Sequence, residues 1–135
     1  MARMDEPLFP TAPDVDALEN GAVLAPRFDD AGLIAAVLQH AATGEVMMLG
    51  WMNAEALRRT LDDGEVWFFS RSRNALWRKG ETSGQVQKVV EILVDCDQDV
   101  VLVKVDPQGD GGVCHTGHRA CFYRALKDGR LVERP

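Results

Sequence analysis

The chain has 135 residues, 46% of them hydrophobic, which is enough for one packed core and too little for two. Its formal net charge of -6 argues against a general nucleic-acid binder, because affinity of that kind comes from surplus Lys and Arg neutralising phosphates. No apolar run reaches the length that spans a bilayer, the amino terminus lacks a basic stretch followed by an apolar core, and the three cysteines are an odd number. The expectation is one soluble cytoplasmic domain with no membrane or nucleic-acid partner, a setting in which clustered cysteines are more often metal ligands or reactive thiols than disulfide partners.

Residues 1–20 carry Pro7, Pro10 and Pro13 among acidic and small residues and read as an irregular arm, with at most a helical turn near Val15 to Glu19. Residues 21–135 form the domain proper. Leu33 to His40 and Val46 to Trp51, joined by Ala42-Thr43-Gly44-Glu45, predict a β-hairpin in which His40 is a partly exposed strand residue. Asn53 is a good N-cap, and Ala54, Leu57 and Leu61 at helical spacing predict one short amphipathic helix stopped by Asp62-Asp63-Gly64. Val66 to Ser70 reads as a buried strand that delivers Arg71, Ser72 and Arg73 to its end. Val86 to Val94 and Val100 to Val105 predict a second hairpin with Asp95 to Asp99 at its connection, and Pro107 to Gly112 a loop. Phe122 to Leu126 and Arg130 to Val132, around the strong turn dipeptide Asp128-Gly129, predict the last hairpin. The sum is a mainly β, α+β fold.

The chemistry is concentrated between Asp95 and Cys121, which hold every cysteine of the chain and two of its three histidines. In an extended segment the period of two puts Asp95, Asp97 and Asp99 on one face, and a turn makes the same oxygens converge. Their mutual repulsion is relieved by a shared hard cation such as magnesium, although a lone acidic trio is more often a solvated turn. Cys114 and Cys121 bracket Thr116-Gly117, and Cys96 must reach them from another strand or another subunit. Three thiolates suit zinc and leave one tetrahedral position. Water there makes the site catalytic, whereas His115 or His118 there makes it closed and structural. A third constellation, Ser70 to Gly84, gathers four of the fifteen Lys and Arg residues with hydroxyls and glycines, a composition that suits phosphate oxygens.

Together these segments resemble the phosphoribosyl-AMP cyclohydrolase family of histidine biosynthesis. The likeness runs from about Phe28 to Tyr123. It is carried by Trp51-Met52-Asn53-Ala54-Glu55-Ala56-Leu57, Ser70-Arg71-Ser72-Arg73, Trp77-Arg78-Lys79-Gly80-Glu81-Thr82-Ser83-Gly84, Asp95-Cys96-Asp97-Gln98-Asp99 and Cys114-His115-Thr116-Gly117. The resemblance implies a compact, mixed-sheet, barrel-like domain in an intertwined homodimer. It also implies zinc at the interface, with Cys96 of one subunit joining Cys114 and Cys121 of the other, and magnesium on Asp95, Asp97 and Asp99. Two positions depart from the family's pattern. Gln85 stands where the family often has histidine, and His118 stands where a basic or small residue is expected, adding an alternative zinc ligand. Some relatives carry a fused pyrophosphohydrolase domain, and the expectation from the chain's length is that this second activity has no room here.

The implied reaction is hydrolytic opening of the adenine ring of phosphoribosyl-AMP. It needs a strong nucleophile at neutral pH and a proton for the departing ring nitrogen, and zinc supplies the first by acidifying a bound water. His115, beside a candidate zinc ligand, is the expected general acid or base, histidine being the side chain that ordinarily titrates near neutrality. Arg71, Arg73, Lys79, Gly80, Glu81 and Ser83 are the expected substrate-binding residues. Two other readings fit the same residues: another zinc hydrolase acting on a nucleotide ring, and a non-catalytic module with a closed structural zinc.

Overall fold

The computed structural model describes residues 7–134. The amino-terminal stretch 1–6, read above as part of an irregular arm, and Pro135 lie outside the described residues. Ten elements follow in order: α1 (Val15–Asn20), β1 (Ile34–His40), β2 (Val46–Met52), α2 (Ala54–Asp63), β3 (Trp67–Ser70), β4 (Ala75–Arg78), β5 (Gln87–Val94), β6 (Val100–Pro107), β7 (Arg124–Lys127) and β8 (Arg130–Glu133). The fold is thus mainly β.

The main sheet has the order β2-β1-β6-β5. Antiparallel hairpins β1/β2 and β5/β6 are joined side by side through a parallel β1/β6 pair, in register from Ala35 opposite Val100 to His40 opposite Val105, so the sheet is mixed. Its edge strands β2 and β5 do not pair with each other, and β3/β4 and β7/β8 are separate two-stranded sheets. The expected barrel is therefore not closed. Too few strands share the sheet to bring its edges together, and closure demands a continuous stagger around the whole circuit.

One face of the sheet holds the core. Ile34, Ala36 and Leu38 of β1, Val101, Val103 and Val105 of β6, and Met47, Met48 and Met52 of β2 meet Ala56 and Leu57 of α2, Phe68 of β3, Val113 and Ala120. The helix forms where expected: the Asn53 side chain accepts from the Ala56 N–H at 2.8 Å, and Gly64 ends the helix with a left-handed φ of 70°. Gly50 is required by packing, since a Cβ there would lie 2.5 Å from the Phe68 ring. The opposite face is also apolar. Paired in register across it lie Leu49, Val37, Leu102 and Leu93, half-buried or exposed within the single chain.

Four features extend or depart from the sequence reading. A second helix, α1, forms in the arm because Asp14 caps it, its carboxylate accepting from the Ala17 N–H at 2.8 Å. Phe9 from the same arm is buried in the common core. The basic segment after β3 contains a further strand, β4. Asn74, with φ of 50°, turns the chain back so that Trp77 pairs opposite Phe68 in a short hairpin. Finally β6 continues to Pro107, which pairs opposite Gln87 at the free end of the hairpin.

Candidate active site

The carboxylate trio sits at the β5–β6 connection. Asp95 Oδ1 accepts from the backbone N–H groups of Asp99 and Val100 at 2.9 and 3.2 Å, which closes the turn and leaves its other oxygen free. One ligand atom from each of Asp95, Asp97 and Asp99 lies within 4.8 Å of the others, as a single hard cation requires. Hydrogen bonding to Asp95 and Asp97, reinforced by burial and their charges, raises the Asp99 carboxyl to about 6. Burial opposes ionisation of Asp95, but its bonds from Asp99, Val100 and Asp97 outweigh that and hold it low. Below about pH 6 the trio therefore retains a proton that a cation would displace.

Gln98, inside this turn, is buried and has a φ of 56°. Its amide accepts from the Ala25 N–H at 2.8 Å and donates to the Leu18 carbonyl at 2.9 Å, while its own carbonyl accepts from Arg27 N–H at 2.7 Å. The amino-terminal arm is thereby fastened to the acidic turn. Arg27 also reaches Asp97 at 3.7 Å.

The cysteines divide between the two ends of the sheet. Cys96 is exposed beside the carboxylates. Cys114 and Cys121 face each other across the loop after β6, which is docked on the start of β2 by the Cys121 N–H to Met47 carbonyl bond at 2.7 Å. A bidentate ion pair from Arg119 to Glu45, at 2.6 and 3.1 Å, fixes the same loop. Among the described residues no group of three ligands unites Cys96 with the other two. Burial opposes ionisation of Cys114, yet the Thr116 hydroxyl, the Cys121 thiol and the nearby Lys79 charge together hold its thiol below the usual range. Burial and the Cys114 charge push Cys121 up to about 11. Cys114 therefore ionises more readily than Cys121, and the two facing sulfurs are donors that suit a soft divalent cation.

The expected substrate residues fall into two groups. Ser70, Arg71, Ser72 and Arg73 line a cleft of about 680 Å³ together with Trp51, and the Arg71 guanidinium lies over the Trp51 ring, 4.9 Å from its centre. A second cleft, which also includes Trp51, reaches Asp99. Trp51 therefore joins the arginines to the acidic turn, and strand periodicity gave no sign of that role. Lys79, Gly80, Glu81 and Ser83 lie elsewhere. Lys79 is buried and donates to the Val113 carbonyl; burial lowers its pKa against the opposing pull of the two thiols. Gly80 is buried with φ of 87°, and the turn it closes leaves Glu81 and Ser83 exposed. His115 is exposed next to Cys114. His118, by contrast, has both ring nitrogens engaged, one by Thr116 and one by Glu133. Gln85, at the family's frequent histidine position, is buried and donates to Asp110 at 2.9 Å, bracing the glycine loop.

A small mixed-sheet domain that presents a facing thiol pair, a carboxylate trio and a basic aromatic cleft has the parts of a nucleotide hydrolase. The family model for phosphoribosyl-AMP cyclohydrolase matches residues 48–123, and the chain belongs to that family. It is 63% identical over 127 residues to the phosphoribosyl-AMP cyclohydrolase of Caulobacter sp. (strain K31), covering 94% of this chain and 95% of that one. The enzyme of the same name from Caulobacter vibrioides (strain NA1000 / CB15N) is 61% identical over 131 residues, covering 97% and 94%. That of Rhodopseudomonas palustris (strain BisB18) is 56% identical over 123 residues, covering 91% and 82%.

Proposed function

We propose that this chain opens the adenine ring of phosphoribosyl-AMP by zinc-dependent hydrolysis in histidine biosynthesis, as a cytoplasmic homodimer with sites shared between subunits. The observation that carries the reading is the division of ligands along β2. Cys121 is tied to Met47, while Trp51 and the acidic turn lie four residues further on, about 13 Å along a strand. One chain alone does not bring its three thiols together, whereas a second copy that offers Cys96 to Cys114 and Cys121 would also bring its carboxylates beside them. The apolar row of Leu49, Val37, Leu102 and Leu93 favours the same arrangement, because an exposed apolar sheet face calls for a partner.

Cys114, Cys121 and Cys96 of the partner subunit would hold zinc, which would supply a water acidic enough to attack at neutral pH, and the three aspartates would hold magnesium, which would offset phosphate charge. The remaining work belongs to the side chains. Arg71 and Arg73, with the Ser70 and Ser72 hydroxyls, hold a phosphate, and Trp51 offers its face to the base. Hydrolysis places a hydroxyl on the ring carbon that bears the exocyclic amine and breaks its bond to the ring nitrogen. That nitrogen then takes up a proton, for which exposed His115 is the assigned carrier. Exposed Glu81 and Ser83 are assigned to the sugar end, while buried Lys79 and Gly80 serve the site indirectly through the thiol pair and the turn. Because His118 is engaged at both nitrogens, it is not free to serve as a zinc ligand.

Ring opening of phosphoribosyl-AMP, followed by ultraviolet absorbance, tests the reading. Activity should vanish when zinc is chelated and return when it is restored. Arg71→Ala should raise KM more than it lowers kcat. Full turnover by metal-free protein would overturn the proposal.

A further inference from the structure

The geometry points to Thr116, His118 and Glu133 as positioning residues for the Cys114 sulfur, acting through one hydrogen-bond chain that ties the zinc loop to the carboxyl-terminal hairpin. This rests on the proposed zinc role of Cys114 and Cys121. Cys114 Sγ lies 2.9 Å from Thr116 Oγ1, Thr116 Oγ1 lies 2.7 Å from His118 Nδ1, and His118 Nε2 lies 2.9 Å from Glu133 Oε1 of β8. The imidazole is held in plane by Tyr123, with ring centres 3.6 Å apart and an interplanar angle of 5°. Tyr123 in turn is fixed by its carbonyl, which accepts from the Arg134 N–H at 2.8 Å beyond β8. Each link in the series thus has its own support.

The direction of the chain follows from chemistry. A metal-bound thiolate can only accept, so the one hydroxyl proton of Thr116 goes to sulfur. Its oxygen then accepts from the Nδ1–H of His118 and the Nε2–H goes to the Glu133 carboxylate, which can only accept, an arrangement that places a proton on both ring nitrogens. All three donors point toward the ends that carry negative charge. An orienting series of this kind fixes where the sulfur lone pairs aim and withdraws electron density from the metal–sulfur bond. It also explains why a histidine so near the thiol pair is no competitor for the metal: its ring is committed elsewhere.

The full-length protein, loaded with zinc or with cobalt as a spectroscopic substitute, provides the test. Thr116→Val keeps the shape of the side chain without its hydroxyl, Thr116→Ser restores the hydroxyl, and His118→Phe keeps the stack on Tyr123 without either nitrogen. Zinc affinity, measured by competition with a chromophoric chelator, should fall about tenfold in Thr116→Val and recover in Thr116→Ser. The sulfur-to-cobalt charge-transfer band should move to lower energy in Thr116→Val and part of the way in His118→Phe. Both substituted sites are at the surface or half-buried, and unchanged melting of the metal-free variants will show that folding is intact. Wild-type affinity and an unmoved band in Thr116→Val, or equal losses in the valine and serine variants, would overturn the inference while leaving the zinc site standing. A wild-type protein that takes up no zinc, and is indifferent to Cys114→Ala, would remove both.

Discussion

Replacing Gln98 by alanine would cut the fastening between the amino-terminal arm and the acidic turn. The buried Ala25 N–H loses its acceptor and the half-buried Leu18 carbonyl loses its donor, while the backbone bond from Arg27 remains. A buried group left unpaired costs about 1–3 kcal/mol and the more accessible one less, so the expected loss is about 2–3 kcal/mol. For a domain of this size that lowers the melting temperature by roughly 8–12 °C. Gln98→Gly sharpens the test. It loses the same two bonds but relieves a left-handed backbone at φ 56°, returning about 1 kcal/mol that alanine cannot recover. Thermal and urea unfolding should therefore rank wild type above Gln98→Gly and Gln98→Gly above Gln98→Ala, with limited proteolysis near Asn20 accelerated in both variants. A loss below about 0.5 kcal/mol in Gln98→Ala, or glycine falling below alanine, would refute the assignment of the amide as a fastening and of the backbone as strained.

Gly80→Ala should destabilise the protein by about 2–5 kcal/mol in urea unfolding, because alanine resists a left-handed backbone and cannot be packed here without displacing main chain. Its Cβ would fall 2.2 Å from the Gln85 carbonyl carbon and the Val86 nitrogen at a φ of 87°; a change below about 1 kcal/mol would count against this packing. The acidic turn should couple magnesium to protons. Asp99 is raised to about 6, so in the metal-free protein its contribution to stability is present at low pH and fades as pH rises through that value. Asp95 is shifted the other way, and its contribution disappears only on acidification. Magnesium should release a proton near pH 6 and raise the melting temperature more at neutral than at acidic pH. Calorimetry in buffers of different ionisation enthalpy would contradict this if no proton were released.

The legible parts of this fold are those whose signals are local. Asn53 and Gly64 bracket α2, and Asp128-Gly129, with φ of 53° and 77°, makes the turn between β7 and β8. The strands were readable as strands, but the parallel pairing of β1 with β6 was not. Periodicity says which face of a strand is buried and nothing about its neighbour across more than sixty residues. The β4 strand is not legible because Ala75 to Arg78 is short and stands among charges, which mask the pattern of Leu76 and Trp77. Within the site, the alternate spacing of Asp95, Asp97 and Asp99 foretold their convergence. The Thr116–His118–Glu133 series was hidden, since Glu133 becomes a neighbour only when the last hairpin folds back. Trp51 was hidden for a related reason: an aromatic on an edge strand acquires a role only from the arginines that another hairpin brings over it.

The central claim is that one site draws its sulfurs from two subunits, and mixing two inactive variants tests it most directly. Cys96→Ser retains Cys114 and Cys121, and Cys114→Ser retains Cys96, so each homodimer lacks a complete trio. A mixed dimer regains one complete site of its two. Unfolding and refolding the two variants together in equal amounts should restore about a quarter of wild-type ring-opening activity, with zinc bound in proportion, since half of the dimers formed are mixed. If the mixture stays as inactive as its components while each variant refolds and dimerises, the thiols do not meet across subunits.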